Sequence, residues 1–272
     1  MMKTTCPLIS RRTLLRLAAA SAGGVFLAGC LPAESEQPVD EANYYISRKD
    51  ALLKDLDDNF PYFEKVLTGE YDAAEIEAIY HEARQNFEAL IPQLPYIGGD
   101  ANGLTTNLVQ SAWCLAIYQT MQPRGKTAED VGRIIYRAVQ GMMDASPRGF
   151  LRLGGVLQTS SLSLESLTAE AALSQQRRYP GDWVFEMVEG DGKTFDWGLD
   201  YTECGICKFY QAQGVSEFTP YLCLLDFPMS EAMGSGLVRT ETLANGDARC
   251  NFRNKLGGPI GPLLPPGFLD EG

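Results

Sequence analysis

The sequence predicts an α+β fold in which an N-terminal helical half packs on a C-terminal half of β-hairpins and short helices. Apolar residues recur at helical spacing before about residue 180, and they alternate at strand spacing after it. A hydrophobic content of 45% is enough for a packed core. We therefore expect a single domain over residues 45–256, helical over 45–180 and built of hairpins and short helices over 181–256, with an irregular tail over 257–272.

The helical half is predicted from its apolar spacing and its helix starts. Helices are expected at residues 72–91, 105–121, 127–145 and 163–178. Two of them begin at capping-box pairs, Asp72 with Glu75 and Thr127 with Asp130. The segment "SPRG" after residue 145 is expected to end the third helix, because proline and glycine interrupt helices.

The C-terminal half is predicted to begin with a hairpin. Its strands are "DWVFEMVEG" and "FDWGLDY", joined by a turn at "DGK". Short helices are expected to follow at residues 204–213 and 217–225.

A second hairpin is predicted around Asn245-Gly246, which is typical of a two-residue type I′ turn. This turn pairs Leu243 with Ala248, Glu241 with Cys250, and Arg239 with Phe252. Arg239 and Cys250 then share one face of the hairpin, whereas Thr240 and Thr242 share the other.

The N-terminus carries the pattern of an export signal. "SRRTLLR" places paired arginines at positions 11 and 12, before an apolar run of 12 residues at 17–28. This run is too short to span a membrane, which takes roughly 20 residues. It ends in "LAGC", which resembles a lipobox whose cysteine is Cys30.

We therefore interpret residues 1–29 as a twin-arginine lipoprotein signal, Cys30 as the lipidation site and residues 30–44 as a tether. The expected protein is exported, lipid-anchored to the cell envelope, and faces the periplasm or the exterior. The alternative is an uncleaved hydrophobic anchor.

The charge of the chain excludes nucleic-acid binding. The formal net charge is −12, and nucleic-acid binding needs a cationic surface. Loss of residues 1–29 removes four of the 23 basic residues and none of the 35 acidic ones, which leaves a net charge of −16.

Two stretches of the C-terminal half combine a cysteine with a charged residue. Cys250 is predicted diagonal to Arg239, and a thiol near a guanidinium has a lowered pKa and becomes nucleophilic. Cys223 lies three residues before Asp226, so both share a helix face, and Asp226 can act as a general acid or base. The structural alternative makes Cys250 a small core residue and Asp226 the cap of a turn at Pro228.

The sequence gives less support to a zinc site or to catalysis by histidine. Cys204 and Cys207 of "ECGIC" could join Cys223 and Cys250 as four ligands, but a zinc ribbon ends in a second C-x-x-C motif, which this sequence lacks. His81 is the single histidine, and it lies off the main apolar stripe, so an exposed or boundary position is expected. We expect neither a metal nor a cofactor.

Several ordered motifs within residues 195–254 resemble one protein family. The segments "TECGICKFY", "PYLCLLDF", "LVRTETLANGD" and "CNFR" resemble the L-2-amino-thiazoline-4-carboxylic acid hydrolase family. The resemblance implies opening of a 2-aminothiazoline carboxylate to an N-carbamoyl-cysteine product. The family pattern has Asp after the last cysteine, where this chain has Asn251, which removes a carboxylate.

This resemblance suggests site roles and partners. One thiol, Cys223 or Cys250, would be the nucleophile, and Asp226 would be the base or proton shuttle. Substrate binding is assigned to Arg239, Thr240, Thr242, Glu203 and Cys204. The expected partners are a small-molecule carboxylate substrate and, through Cys30, the membrane. The alternatives are a non-catalytic binding or sensory lipoprotein on the same scaffold, and a structural lipoprotein of an envelope complex.

Overall fold

The structure, a computed structural model, describes residues 40–263 and 267–269. The predicted signal over residues 1–29 and the lipidation site Cys30 lie outside the described residues, as does most of the predicted tether. The last residues of that tether already belong to the fold. A 3₁₀ turn at Glu41–Asn43 leads into Tyr44, which is buried in the core.

The helical half agrees closely with the sequence prediction. In the described residues it contains the helices α1 (Lys49–Leu67), α2 (Ala73–Leu90), α3 (Thr105–Met121), α4 (Ala128–Ala145), α5 (Arg148–Gln158) and α6 (Ser161–Ser174). Both predicted capping boxes are present, Asp72 with Glu75 at α2 and Thr127 with Asp130 at α4. Each box satisfies backbone N–H groups that the first turn of a helix leaves without partners.

Two helices, α1 and α5, were not predicted individually. The segment "SPRG" does end α4 at Ala145, as expected, but α5 begins at Arg148. Pro147 occupies the N-cap of α5, where its missing N–H removes no hydrogen bond from the helix. Proline at this point therefore separates two helices instead of starting a loop.

The C-terminal half combines a small antiparallel sheet with three short helices. The described elements are β1 (Val184–Glu189), β2 (Trp197–Glu203), α7 (Gly205–Ala212), α8 (Thr219–Cys223), α9 (Asp226–Met233), β3 (Leu237–Val238) and β4 (Cys250–Asn254). The strand order is β1-β2-β4-β3. The predicted first hairpin is confirmed as β1 and β2, and Tyr201 of β2 lies opposite Cys250 of β4.

The prediction of a two-residue type I′ turn in the second hairpin is wrong. Residues Leu243–Asn245 form a 3₁₀ turn, and only Leu237 and Val238 pair with β4. Local side-chain bonds take the place of the ladder: the Thr242 hydroxyl accepts a bond from the Asn245 N–H. The predicted register nevertheless holds at the base, because Val238 pairs with Arg253 and Arg239 follows it toward Phe252.

The prediction that Cys223 and Asp226 share one helix face is wrong, and so is the structural alternative of a turn at Pro228. Asp226 is the first residue of α9, and Pro228 lies in its first turn, where proline is tolerated. Asp226 therefore does not cap a turn. It marks the corner where α8 ends at Cys223 and α9 begins.

One core joins the two halves of the domain. Leu108 and Trp113 of α3 belong to the same buried cluster as Trp183 and Leu199 of the second half. This shared core confirms the α+β fold with the helical half packed on the sheet half. None of the helices in residues 40–263 is long and apolar enough to cross a bilayer.

Candidate active site

A cavity of about 110 Å³ lies between the sheet, the corner of α8 and α9, and the start of α3. By a comparable measure one water needs about 10–15 Å³, so the space suits a small ring with substituents. Most of its wall is apolar and includes Trp183, Trp197, Leu199, Leu222 and Phe252. A few polar groups in an apolar hollow are typical of small-molecule sites.

The cavity brings together side chains from separate stretches of the sequence. Five of the predicted site residues line it: Cys204, Cys223, Asp226, Arg239 and Cys250. They come from the start of α7, the corner of α8 and α9, the end of β3 and the first residue of β4. The convergence that a common active site requires is therefore present in the fold.

The position after Cys204 has no room for a side chain, which explains why it is glycine. A side chain at Gly205 would collide with the ring of Trp183 and the carbonyl of Gly181. The close approach lets α7 start directly beside the cavity wall, with Cys204 as its N-cap residue. The motif "ECGIC" thus positions a cavity residue. Within the described residues, no group of three or more His, Cys, Asp or Glu side chains is placed to hold a metal.

Arg239 and Asp226 form a buried ion pair in the wall. Arg239 Nη1 donates to Asp226 Oδ2 at 2.6 Å, and Nη2 donates to the Cys223 carbonyl at 2.6 Å. The guanidinium is stacked between the rings of Phe227 and Phe252, at 5.2 and 4.8 Å from their centroids. Arg239 is only 2% exposed. It is thus held rigidly in one orientation by three kinds of contact.

One N–H of this guanidinium remains without a partner. Arg239 Nε is buried and makes no hydrogen bond to any of the described residues. A buried donor of a charged group without an acceptor is costly, unless a ligand or a water satisfies it. Arg239 lines the cavity, but this atom itself is not exposed to it.

The carboxyl of Asp226 has a raised pKa. Burial raises the pKa of its carboxyl, while the charge of Arg239 and its hydrogen bond act in the opposite direction. Its side chain remains 30% exposed and lines the cavity. A carboxylate with a raised pKa, in contact with an enclosed space, is a suitable general base.

The predicted lowering of thiol pKa is wrong. Burial raises the pKa of Cys250 to about 11, and it raises that of Cys223 even though Arg239 lowers it. The pKa of Cys204 is raised by a hydrogen bond with Cys207 and by burial. Desolvation outweighs the guanidinium because these thiols are enclosed. At neutral pH the cavity thiols are therefore protonated, and all five described cysteines are free.

Three predicted binding residues lie outside the cavity wall. Glu203 forms a salt bridge with Lys208 at 2.5 Å and a second one with Arg177. Thr240 is exposed, and Thr242 is buried where it caps the 3₁₀ turn. The predicted register put these two threonines on the opposite face of the hairpin from Arg239. Of these three residues, Arg239 alone lines the cavity.

Asn251 closes the loop of the last hairpin. Its side-chain oxygen accepts hydrogen bonds from the N–H groups of Thr240 and Glu241, at 2.9 and 2.8 Å. Asn251 does not line the cavity. An aspartate at this position could accept the same two bonds, so the departure from the family pattern takes no carboxylate from the cavity.

His81 is exposed on α2 and does not belong to the cavity wall. Its side chain is 61% exposed and lies 3.8 Å from Glu77, one turn earlier on α2. This confirms the expected exposed position. His81 does not line the cavity, so a triad through this residue has no geometric support.

The aromatic part of the site was not predicted from the sequence. Trp197, Leu199 and Tyr201 alternate along β2, so all three face the cavity. That spacing is visible in "FDWGLDY" and could have identified them. Asn107 on α3 also lines the cavity, and nothing in the local sequence connects it to the C-terminal half.

Comparison with known proteins gives one match. A family model described as L-2-amino-thiazoline-4-carboxylic acid hydrolase matches residues 106–254. The matched segment contains every residue of the cavity wall except Leu104. No curated protein and no solved structure matches the chain.

Proposed function

The chain belongs to the L-2-amino-thiazoline-4-carboxylic acid hydrolase family, and from this premise we propose that its cavity hydrolyses a small 2-aminothiazoline-type carboxylate. The observation that carries the proposal is the convergence of Asp226, Arg239, Cys223 and Cys250 on one cavity. The apolar wall suits the ring, and the polar groups suit its substituents.

The chemistry requires activation of water. The ring carbon between sulfur and nitrogen is amidine-like and electrophilic. Asp226 takes a proton from a water whose oxygen bonds to this carbon, and the bond from that carbon to the ring sulfur then breaks. One water proton ends on the ring nitrogen and the other on the departing sulfur, which gives an N-carbamoyl-cysteine-type product. Asp226 is placed to deliver the second proton.

Arg239 has two roles in this proposal. Its charge and its hydrogen bond lower the pKa of Asp226 against the larger effect of burial, and so favour the ionised form that a base requires. Its guanidinium lines the cavity, so its positive charge attracts the carboxylate of the substrate. Because the thiols of Cys223 and Cys250 are protonated, water activated by Asp226 is favoured over a thiolate as the nucleophile.

Cysteine variants test the choice of nucleophile. We expect Cys223→Ala and Cys250→Ala to keep ring-opening activity within roughly tenfold of the parent chain, since neither thiol is a strong nucleophile here. The measurement is release of thiol from 2-amino-thiazoline-4-carboxylate, followed with a thiol reagent after protein removal. A covalent substrate adduct on either cysteine would contradict the water mechanism. Binding of the compound by calorimetry with no thiol release would replace the hydrolase with the non-catalytic binding protein.

We further propose that the protein is exported and anchored through lipid on Cys30. The proposal is supported by the paired arginines, the short apolar run and the lipobox-like "LAGC". Mass spectrometry of the purified protein from a bacterial membrane fraction should find an acylated peptide that begins at Cys30. An N-terminal peptide that starts before residue 30, without a lipid, would contradict this assignment.

A further inference from the structure

The outward face of α5 is apolar. Phe150, Leu153, Val156 and Leu157 are 37–55% exposed on this helix, and Leu162 at the start of α6 is 55% exposed. We call these five side chains the α5 patch. They account for five of the nine large apolar side chains that are exposed within residues 40–263 and 267–269. Exposed apolar side chains grouped in this way mark an interaction surface.

The opposite face of α5 is already used for packing. Leu151 and Gly155 are buried, and Gly155 lies directly against the backbone of Met233 at the end of α9. A helix that is apolar on both faces needs cover on both. The fold supplies cover on the inner side, so the α5 patch is left for a partner.

The charge around the patch indicates an anionic partner. The segment of residues 145–164 contains Arg148 and Arg152 but no acidic residue, although the whole chain has 35 acidic residues. Apolar side chains next to arginines are typical of helices that lie in the interface of an anionic bilayer. Asp144 and Glu165 flank this segment, and the two arginines are the charges carried by the patch helix itself.

The length of the tether and the size of the patch favour a bilayer over a second copy of the chain as the partner. Cys30 lies ten residues before Asp40, so a tether from a lipid at Cys30 spans at most about 35 Å, roughly the width of such a domain. The α5 patch consists of five partly exposed side chains, which is far fewer than the roughly 20–30 residues per partner of a standard protein interface.

We propose that the α5 patch rests on the membrane surface, with its apolar side chains among the upper acyl chains and Arg148 and Arg152 at anionic headgroups. This goes beyond the proposed hydrolase function and is independent of turnover. The domain would then be held in one orientation on the bilayer, instead of swinging freely on its tether.

Fluorescence quenching by lipid tests the contact. The full chain is purified in its natural N-terminal form and incorporated with vesicles of phosphatidylcholine and phosphatidylglycerol that carry brominated acyl chains. In a Leu153→Trp variant we expect about half or more of the added fluorescence to be quenched, since an interfacial helix buries its apolar face about 5–10 Å. The native tryptophans at 113, 183 and 197 are buried and set the background.

Leu256→Trp is the matched control, because Leu256 is another exposed leucine outside the α5 patch. Its added fluorescence should stay nearly unquenched, and quenching of Leu153→Trp should fall in vesicles of phosphatidylcholine alone. Equal quenching of both variants, or none in either, would overturn the proposal. If the tryptophan introduced by Leu153→Trp is shielded from solvent without vesicles, and the mass in solution is doubled, the proposal is also overturned and the patch belongs to a contact with a second copy.

Discussion

Replacing Asp226 with Asn is expected to reduce kcat for ring opening by roughly 10²–10⁴-fold, the range that a general base contributes. The amide keeps an oxygen that can accept the hydrogen bond from Arg239, but it has no lone pair basic enough to take a proton from water. Substrate binding should change less than kcat, because the cavity wall keeps its shape. Steady-state thiol release, with the folded fraction checked by circular dichroism, measures both quantities.

The pH profile separates this role from a structural one. Asp226 must be ionised to act as the base, so kcat/KM should fall as pH drops through its pKa. Because burial raises this pKa, the acidic limb should lie above the value of roughly 3.9 of an ordinary aspartate. The limb should disappear from the residual activity of Asp226→Asn. A full loss of activity with an unchanged limb would remove Asp226 from the role of base.

Asp57→Asn is the matched control for this variant. Asp57 also accepts a hydrogen bond from an arginine, Arg84, at 3.0 Å, and its side chain is 31% exposed, close to the 30% of Asp226. It lies on α1, away from the cavity wall. Its variant should keep kcat within about twofold, since surface substitutions have small effects.

The sequence allowed part of this site to be predicted because hydrogen-bond register and closeness along the chain are local properties. Cys223 and Asp226 are only three residues apart, so both reach the cavity although they lie on two short helices and not on one helix face. Arg239 and Cys250 approach each other because the register of β3 and β4 agrees with the predicted hairpin at its base. The helices with capping boxes were predictable for the same reason, since their starts are encoded within four residues.

Properties that depend on enclosure were not predictable. The pKa of Cys250 is set by how much water reaches the thiol, and that depends on Trp197 and Tyr201 of the neighbouring strand β2 as well as on the rest of the cavity wall. The pairing of Arg239 with Asp226 likewise requires the fold to bring β3 against α9. The predicted type I′ turn does not form, although Asn-Gly favours it. Thr242 and Asp247 form hydrogen bonds within one loop, and these bonds replace the hydrogen bonds between the two strands.

Stability should depend strongly on the same ion pair. We expect Arg239→Met to lower the free energy of unfolding by about 3 kcal/mol, the low end for a broken buried pair, because Asp226 loses its counter-charge in a cavity wall where its side chain is 30% exposed. The Cys223 carbonyl also loses its donor. Removal of the guanidinium raises the pKa of Asp226 further, so the carboxyl is neutral at low pH and charged at high pH. The loss of stability should therefore be smaller at pH 5 than at pH 8, as urea unfolding at both pH values would measure.

The double variant Asp226→Asn, Arg239→Met decides whether the destabilisation comes from the uncompensated charge. With both charges gone, methionine can fill the space between Phe227 and Phe252, and most of the lost stability should return. Arg84→Met is the control: its pair with Asp57 is about one-third exposed on both sides, so its loss should cost at most about 1 kcal/mol. A double variant as unstable as Arg239→Met would mean that Arg239 stabilises the fold through its packing between the two rings. Its buried charge would then serve the chemistry of Asp226 and contribute little to the stability of the domain.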